Sequence, residues 1–220
     1  MKETLGQAIE RVLEAEDWVG ARKLIRAGLR SKPDDHWLLS RLALTFYEQG
    51  QYRRALDLDL KALQIAPYCP LAIWGYAGTL EMLGRTREAR ILFQWLVSWG
   101  EAKLAYGECG EGIRWARSLI ADCYYRIGLI WEEKGQKKRA LRSYAEHLAC
   151  RERGARSIYP IREVKRRFNS LSGRCRTGFL AGHFSVPDDF DEMSANQIST
   201  MFHGVAPKGT KSAGNRAPRN

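Results

Sequence analysis

The sequence has few cysteines and histidines, and none of them has the spacing of familiar metal sites or disulfide scaffolds. Five cysteines and four histidines are spread over 220 residues, and no two cysteines form a C-x-x-C pair. This spacing favours neither a zinc site nor a disulfide framework, and it is typical of a protein in a reducing compartment. We therefore expect no metal, no cofactor and a cytoplasmic location.

A long hydrophobic run is also missing. The first residues, Met1 to Thr4, lead directly into an amphipathic pattern. A membrane-spanning helix needs roughly 20 consecutive apolar residues, and a signal peptide needs a compact apolar segment. We expect neither feature in this chain.

The sequence contains no recognisable catalytic constellation. No serine or cysteine nucleophile stands at an interpretable spacing from a histidine, and Glu132 and Glu133 are adjacent, so they point in different directions on a helix. The glycines Gly107, Gly110 and Gly112 superficially resemble a phosphate-binding loop, but no Lys-Ser/Thr pair follows them. We interpret that segment as a flexible loop, and we predict that the protein is not an enzyme.

Basic residues are in excess, especially toward the C-terminus. The formal net charge is +11; residues 1–150 carry 23 basic and 19 acidic side chains, and residues 151–220 carry 13 and 6. A basic segment favours a nucleic acid, an anionic membrane or an acidic protein as partner, or serves only solubility.

A 34-residue period is the strongest pattern present. Ala21, Ala55 and Ala89 are each 34 residues apart, and apolar positions with helical spacing return at the same step. A helical sequence with this period is typical of a helix-turn-helix solenoid. Glycine after the first helix allows the positive φ of a helix C-cap, and a small residue further on allows two helices to pack closely. Glycine recurs at Gly50, Gly84 and Gly135, whereas the first repeat has Glu16 at this position.

These positions resemble the tetratricopeptide repeat (TPR) family over residues 2–153. The resemblance implies an all-α, right-handed helical solenoid of about four helix pairs. Gly84 and Gly135 are 51 residues apart, which indicates a 17-residue insertion near residues 100–116, read as a loop before a long helix from about 113 to 134. Residues 157–171 are predicted to form a capping helix, and residues 172–220 a flexible, largely disordered basic tail.

In TPR proteins the first helix of each repeat lines a concave groove. Transferring that arrangement by position predicts a groove that is acidic and aromatic, while the second helices carry basic residues. Such a groove suits a basic or helical peptide, through charge pairs at its rim and buried aromatic anchors. The predicted groove residues are Glu10, Glu14, Trp37, Tyr47, Glu48, Trp74, Glu81, Tyr125 and Glu132.

A second resemblance lies in the tail. Residues 178–193 contain the run Pro-Asp-Asp-Phe-Asp, and residues 195–202 end in Met-Phe. The segment 174–204 resembles the C-terminal toxin-binding part of type II antitoxins, which wraps a PIN-type ribonuclease toxin. The resemblance implies a toxin-contacting set in the tail. The residues of this set are Arg174, Arg176, Phe184, Phe190, Met193, Ile198 and Phe202.

Three functions therefore remain open from the sequence. The first is a protein-interaction scaffold that binds a peptide or helix in its groove. The second is a toxin-neutralising module that acts through the tail. The third is nucleic-acid binding by residues 151–176, which carry nine basic and two acidic side chains but no known nucleic-acid motif.

Overall fold

The structure, a computed structural model, describes residues 3–173. This range forms nine α-helices and no strand, and it lies within one compact unit. None of the helices in residues 3–173 is long and apolar enough to cross a membrane. The helices are α1 (Leu5–Glu14), α2 (Trp18–Ser31), α3 (His36–Tyr47), α4 (Tyr52–Ile65), α5 (Pro70–Met82), α6 (Thr86–Tyr106), α7 (Ile113–Glu133), α8 (Lys137–Glu152) and α9 (Ile161–Ser172).

Each helix packs against the next one along the chain, and α3 also contacts α5. Contacts mainly between sequence neighbours are the organisation of a helical solenoid, in which stacked units share one continuous core. The pairs α1/α2, α3/α4, α5/α6 and α7/α8 are the four predicted repeats. We call the side formed by α1, α3, α5 and α7 the groove face.

The turn inside each repeat is closed by a residue with positive φ. Gly50, Gly84 and Gly135 have φ values of 70°, 80° and 66°, and each N–H bonds the carbonyl three residues earlier. Glu16 stands at this position in the first repeat and adopts the same conformation, with φ of 55°. Because a left-handed conformation costs an L-residue about 1–2 kcal/mol, the first turn is strained where the other three are not.

Small residues let the paired helices approach closely. The repeated alanines Ala21, Ala55 and Ala89 are fully buried. A Cβ atom placed on Gly128 of α7 would lie 2.5 Å from a ring carbon of Tyr144 on α8. The small-residue positions of the period therefore mark where two helices meet.

The insertion is partly helical. α6 continues through a kink at Gly100, where φ is 72° and ψ is 169°, so residues 101–106 are helical and only residues 107–112 form a loop. The sequence pattern predicted a loop from about residue 100 up to the long helix that begins near residue 113, so the helical residues 101–106 were not predicted. Arg117 on α7 holds the short helix in place through an N–O distance of 2.7 Å to Glu101.

α9 covers the end of the fourth repeat. Val164 is fully buried and packs in one apolar cluster with Tyr125 and Tyr144. Arg167 lies 3.1 Å from a carboxylate oxygen of Glu132 on α7. α9 thus buries the last apolar face of the stack, as expected for a terminal cap.

Candidate protein-binding groove

The groove face contains a cavity of about 240 Å³ between the second, third and fourth repeats. Helices α3, α5 and α7 contribute most of its wall, and residues 158–159 close one side. The cavity is smaller than the roughly 300–1,000 Å³ of an ordinary small-molecule pocket, so its size suits one or two side chains of a partner. The lining residues that matter below are Ser40, Tyr47, Glu48, Trp74, Gly78 and Arg126.

Two of the predicted aromatic residues form rigid walls of this cavity. Trp74 is half-buried, and its ring centroid lies 5.1 Å from that of Phe93. Tyr47 packs edge-on against Tyr52 at 5.5 Å. Because each ring is held by another ring, a partner would meet a surface that is already ordered. Trp37 lies instead in a neighbouring cleft formed by α1, α2 and α3.

Three buried polar groups of the cavity wall have no hydrogen-bond partner among the described residues. They are the hydroxyl of Ser40, the Nε group of Arg41, which only forms an ion pair with Glu10, and the Nη2 group of Arg126. Arg126 Nη2 would lie 3.7 Å from a Cβ atom placed on Gly78, so it faces the groove side of α5. Leaving a buried donor unpaired costs about 1–3 kcal/mol, and more for a charged group. A ligand that brings an acceptor oxygen would recover that energy.

Most of the predicted acidic residues are already paired with arginine. Glu81 lies 2.6 Å from Arg126, and Glu10 lies 2.7 Å from Arg41. Glu132 is bound by Arg167 and accepts a hydrogen bond from Tyr144. The expectation of an acidic groove therefore needs correction: arginines of α3, α7 and α9 compensate much of the negative charge. The sequence pattern missed these pairs because each joins residues at least 31 positions apart.

The two remaining predicted carboxylates, Glu14 and Glu48, are exposed. Although Glu48 is exposed, neighbouring protein atoms keep part of the water away from its carboxylate and raise its pKa, and the nearby charge of Glu16 adds to this effect. Burial also raises the pKa of Glu81, and the charge of Arg126 opposes that change. Glu48 lines the cavity beside Tyr47, so it is the acidic group best placed to meet a partner there.

Tyr125 occupies the same repeat position as Trp74 but does not open to the groove. It is 5% exposed, and its ring stacks on Tyr159 with centroids 4.0 Å apart. Tyr159 also accepts a hydrogen bond from Arg126 at 3.2 Å. The segment between α8 and α9 therefore covers the groove face of the fourth repeat, and Tyr125 belongs to the core there.

A buried carboxyl group lies beneath the open part of the groove. Asp59 of α4 is 2% exposed and accepts a hydrogen bond of 2.7 Å from the hydroxyl of Thr79 on α5. Burial raises the pKa of Asp59 to about 7, and the bond from Thr79 opposes that shift. The TPR resemblance implies an apolar or aromatic residue at this position, and Asp59 departs from it.

No family model and no curated protein matches this sequence. Solved structures do match. MamA 41-end from Desulfovibrio magneticus RS-1 is 14% identical over 90% of this chain and 91% of its own, with a TM-score of 0.56. BtubC from P. vanneervenii is 14% identical over 98% of this chain and 86% of its own, with a TM-score of 0.58. These neighbours have TPR-like helical repeats. The chain has a TPR-like fold.

The TPR-like fold confirms the architecture predicted from the 34-residue period. The predicted tail contacts, from Arg174 to Phe202, lie outside the described residues, so the antitoxin resemblance stays a prediction. The basic segment 151–176 is described as far as residue 173. Within it, Arg166 and Arg167 both bind Glu163 of the same helix, so these two charges are engaged inside the protein.

A further group of side chains escaped the sequence pattern entirely. His36, Cys69 and Cys109 are far apart in sequence, but their ligand atoms all lie within 4.8 Å of one another. Burial and the neighbouring Cys69 raise the pKa of Cys109 to about 12. The repeat brings His36 and Cys69 together, because both stand at the start of a first helix. The insertion then adds Cys109, which spacing along the chain could not predict.

Proposed function

We propose that this chain is a non-enzymatic scaffold that binds a peptide or helix of a protein partner on its groove face. The observation that carries the proposal is the cavity between Tyr47 and Trp74. It combines ordered aromatic walls with buried polar groups, among them Ser40 Oγ and Arg126 Nη2, that lack hydrogen-bond partners among the described residues. Aromatic residues and arginine in desolvated pockets are the groups that usually dominate binding energy at interfaces.

The cavity also indicates which kind of side chain would enter it. Its walls include aromatic and aliphatic side chains, and Arg126 Nη2 is a cationic donor there without a hydrogen-bond partner among the described residues. An arginine donor requires an acceptor, so the partner segment would place a carbonyl or carboxylate oxygen there beside an apolar group. Glu48 at the rim leaves room for a basic residue next to that anchor.

The proposal is tested with full-length protein and two aromatic variants. Partners are first captured with the wild type and identified by mass spectrometry, and the affinity of the best partner is then measured by calorimetry. Trp74→Ala and Tyr47→Ala should each weaken binding by about 2 kcal/mol or more, roughly 30-fold, as expected for aromatic anchors. Both variants should keep the helical circular-dichroism spectrum.

Trp95→Ala is the matched control. Trp95 is a 38% exposed tryptophan on α6, and it does not line the cavity. Its replacement should leave the affinity within about twofold. Equal binding by wild type and Trp74→Ala would contradict a role for the groove, whatever partner is captured.

The tail alternative is separated in the same assay. A chain that ends at residue 173 keeps every residue from 3 to 173 that the structure describes, and its circular-dichroism spectrum checks that it still folds. A groove partner should still bind the shortened chain, whereas a PIN-type toxin held by the antitoxin-like segment should be lost. A partner that survives Trp74→Ala but not the truncation would favour the toxin-neutralising function.

A further inference from the structure

A histidine and two cysteines meet where the insertion folds back onto the repeats. His36 is the first residue of α3, Cys69 is the N-cap residue of α5, and Cys109 lies in the loop between α6 and α7. His36 Nε2 is 3.2 Å from Cys109 Sγ, and the three ligand atoms all lie within 4.8 Å of one another. Three chain segments thus converge on one point.

The separations match those of a tetrahedral zinc site. Zinc binds cysteine sulfur at about 2.3 Å and histidine nitrogen at about 2.0–2.1 Å, which puts ligand atoms about 3.5–3.8 Å apart. The contacts between His36, Cys69 and Cys109 range from 3.2 Å to no more than 4.8 Å. An ion could therefore sit between the three atoms after side-chain adjustments of up to about 1 Å.

The chemistry of the ligand set selects the metal. Thiolate and imidazole ligands favour zinc, whereas magnesium and calcium require oxygen ligands. Two thiols that lose their protons to solvent would balance the double charge of Zn²⁺, so the loaded site would be neutral. Neutrality matters because Cys69 is only 2% exposed.

The three side chains are free to act as ligands. Cys69 makes no side-chain hydrogen bond to the start of α5, and neither Cys69 nor Cys109 is in a disulfide. His36 and Cys109 are half-buried, so an ion can reach them from solvent. Cys69 and Cys109 also share one apolar cluster, which shields the two sulfur atoms.

The loop that carries Cys109 is shaped to deliver it. Cys109 has a φ of 58°, a conformation that residues other than glycine rarely adopt. A Cβ atom on the next residue, Gly110, would lie 2.4 Å from the carbonyl oxygen of Ala105, so the loop turns tightly against the end of α6. Strain held in a fixed loop is often part of a functional site, and metal ligation would offset it here.

We propose that His36, Cys69 and Cys109 bind one Zn²⁺ ion, with water as the fourth ligand. The ion would fasten the insertion loop to the start of the second and third repeats. The site is separate from the groove cavity, whose lining includes none of these three residues. Zinc binding at this site therefore does not depend on a protein partner in the groove.

Metal content of the full-length protein is the first test. Protein purified with a reducing agent and without chelators should contain about one zinc ion per chain, as measured by inductively coupled plasma mass spectrometry. After removal of zinc, added Co²⁺ should produce the absorption of thiolate-bound tetrahedral cobalt. Zinc should also raise the thermal midpoint of the apoprotein, because the folded arrangement brings the three ligands together and binds the ion more tightly than the unfolded chain does.

Variants then assign the ligands. Cys69→Ala, Cys109→Ala and His36→Ala should each weaken zinc binding by at least about 100-fold, since losing even an outer-shell partner costs about 10- to 100-fold. Cys150→Ala removes a cysteine outside the cluster and should keep the full affinity. Cys109→Ala is the variant expected to disturb the fold least, because Cys109 is a half-buried loop residue outside the helices.

Three results would overturn the site. The first is a wild-type protein that binds neither Zn²⁺ nor Co²⁺ at micromolar concentration. The second is a Cys109→Ala variant with the zinc content and affinity of wild type. The third is a disulfide between Cys69 and Cys109 that persists under the reducing purification and leaves the protein without metal.

Discussion

The groove face has an open half and a closed half, and the two differ at equivalent repeat positions. Trp74 in the third repeat is half-buried and lines a cavity. Tyr125, at the same position of the fourth repeat, is 5% exposed beneath Tyr159. The repeat decides which side a residue faces, but the chain that follows the last repeat decides whether that side is accessible.

Two buried aspartates, Asp59 and Asp122, show the same contrast between the open and the closed half. Asp59 lies under the open half and accepts one side-chain hydrogen bond, from Thr79. Asp122 lies under the closed half, where Ser157 of the covering segment bonds its carboxylate. Burial raises the pKa of both, to about 7 for Asp59 and to about 6 for Asp122. The covering segment thus supplies polar partners as well as apolar contact.

Among the variants that test this comparison, Tyr159→Ala should lower the free energy of unfolding most, because it removes the side chain that covers Tyr125 in the closed half. The variant loses the ring stacked on Tyr125 and the acceptor for Arg126. We expect a loss of about 2–4 kcal/mol in the free energy of unfolding, measured by urea denaturation, in the range for truncating a large packed side chain.

Tyr159→Phe is the control for that variant. It keeps the ring and removes only the hydroxyl, which should cost about 1 kcal/mol. Equal losses for the alanine and phenylalanine variants would mean that the stacked ring does not hold the segment in place. The distinction between open and closed halves would then rest on other contacts of residues 155–160.

Asp59→Asn should stabilise the protein above neutral pH. Because the folded-state pKa of Asp59 is raised, the folded state holds its proton more tightly than the unfolded chain. The stability that this proton gives is present at low pH and is lost as pH rises from about 4 to about 7. At about 1.4 kcal/mol per pKa unit, the variant should gain a few kcal/mol over wild type at pH 8 and little near pH 4.

Asp122→Asn provides the comparison from the closed half. Its gain over wild type should level off near pH 6, since the pKa of Asp122 is raised only to about 6. The gain of Asp59→Asn should continue to rise until about pH 7. Urea unfolding across pH 4–8 measures both profiles. If the difference in the free energy of unfolding between Asp59→Asn and wild type does not change with pH, the pKa of Asp59 is not raised by burial.

The sequence predicted those parts of the fold that depend on local chemistry. Glycine at the repeat turns predicted the positive φ of Gly50 and Gly84, and the repeated alanines predicted buried helix contacts. Glu16 shows why the weakest repeat still folds: an L-residue can occupy the turn at a cost of about 1–2 kcal/mol when its neighbours pack correctly. The 34-residue period and the residues at the turns were therefore sufficient to predict the helical-repeat architecture.

The groove was harder to predict because its character depends on contacts between distant residues. The pattern assigned Trp74 and Tyr47 to the groove face, and both line the cavity. It could not show that Arg126 approaches Glu81 across 45 residues, or that Tyr159 covers Tyr125. The insertion obscured the rest, since a loop without a period carries no information about where Cys109 lies.

The smallest expected change in the free energy of unfolding comes from two glycine variants. Gly78 faces the cavity, whereas Gly128 faces a neighbouring helix. Gly78 lies in the interior of α5, and an added Cβ would meet Arg126 Nη2 and Tyr47 only at 3.7 and 3.8 Å. Gly78→Ala should therefore change the free energy of unfolding by less than about 1 kcal/mol, in the stabilising direction that alanine favours in helices. The same methyl group would occupy the cavity, so partner affinity should fall about tenfold.

Gly128→Ala is the matched variant of the closed half. Its Cβ would lie 2.5 Å from the ring of Tyr144, which is fully buried and has no space to move into. Overpacking of this kind costs about 1–3 kcal/mol. Urea denaturation should thus give opposite signs for the two glycine variants, and calorimetry should show the loss of binding for Gly78→Ala without a loss of stability. If both variants are destabilised alike, the space beside Gly78 is part of the packed core and is not available to a partner.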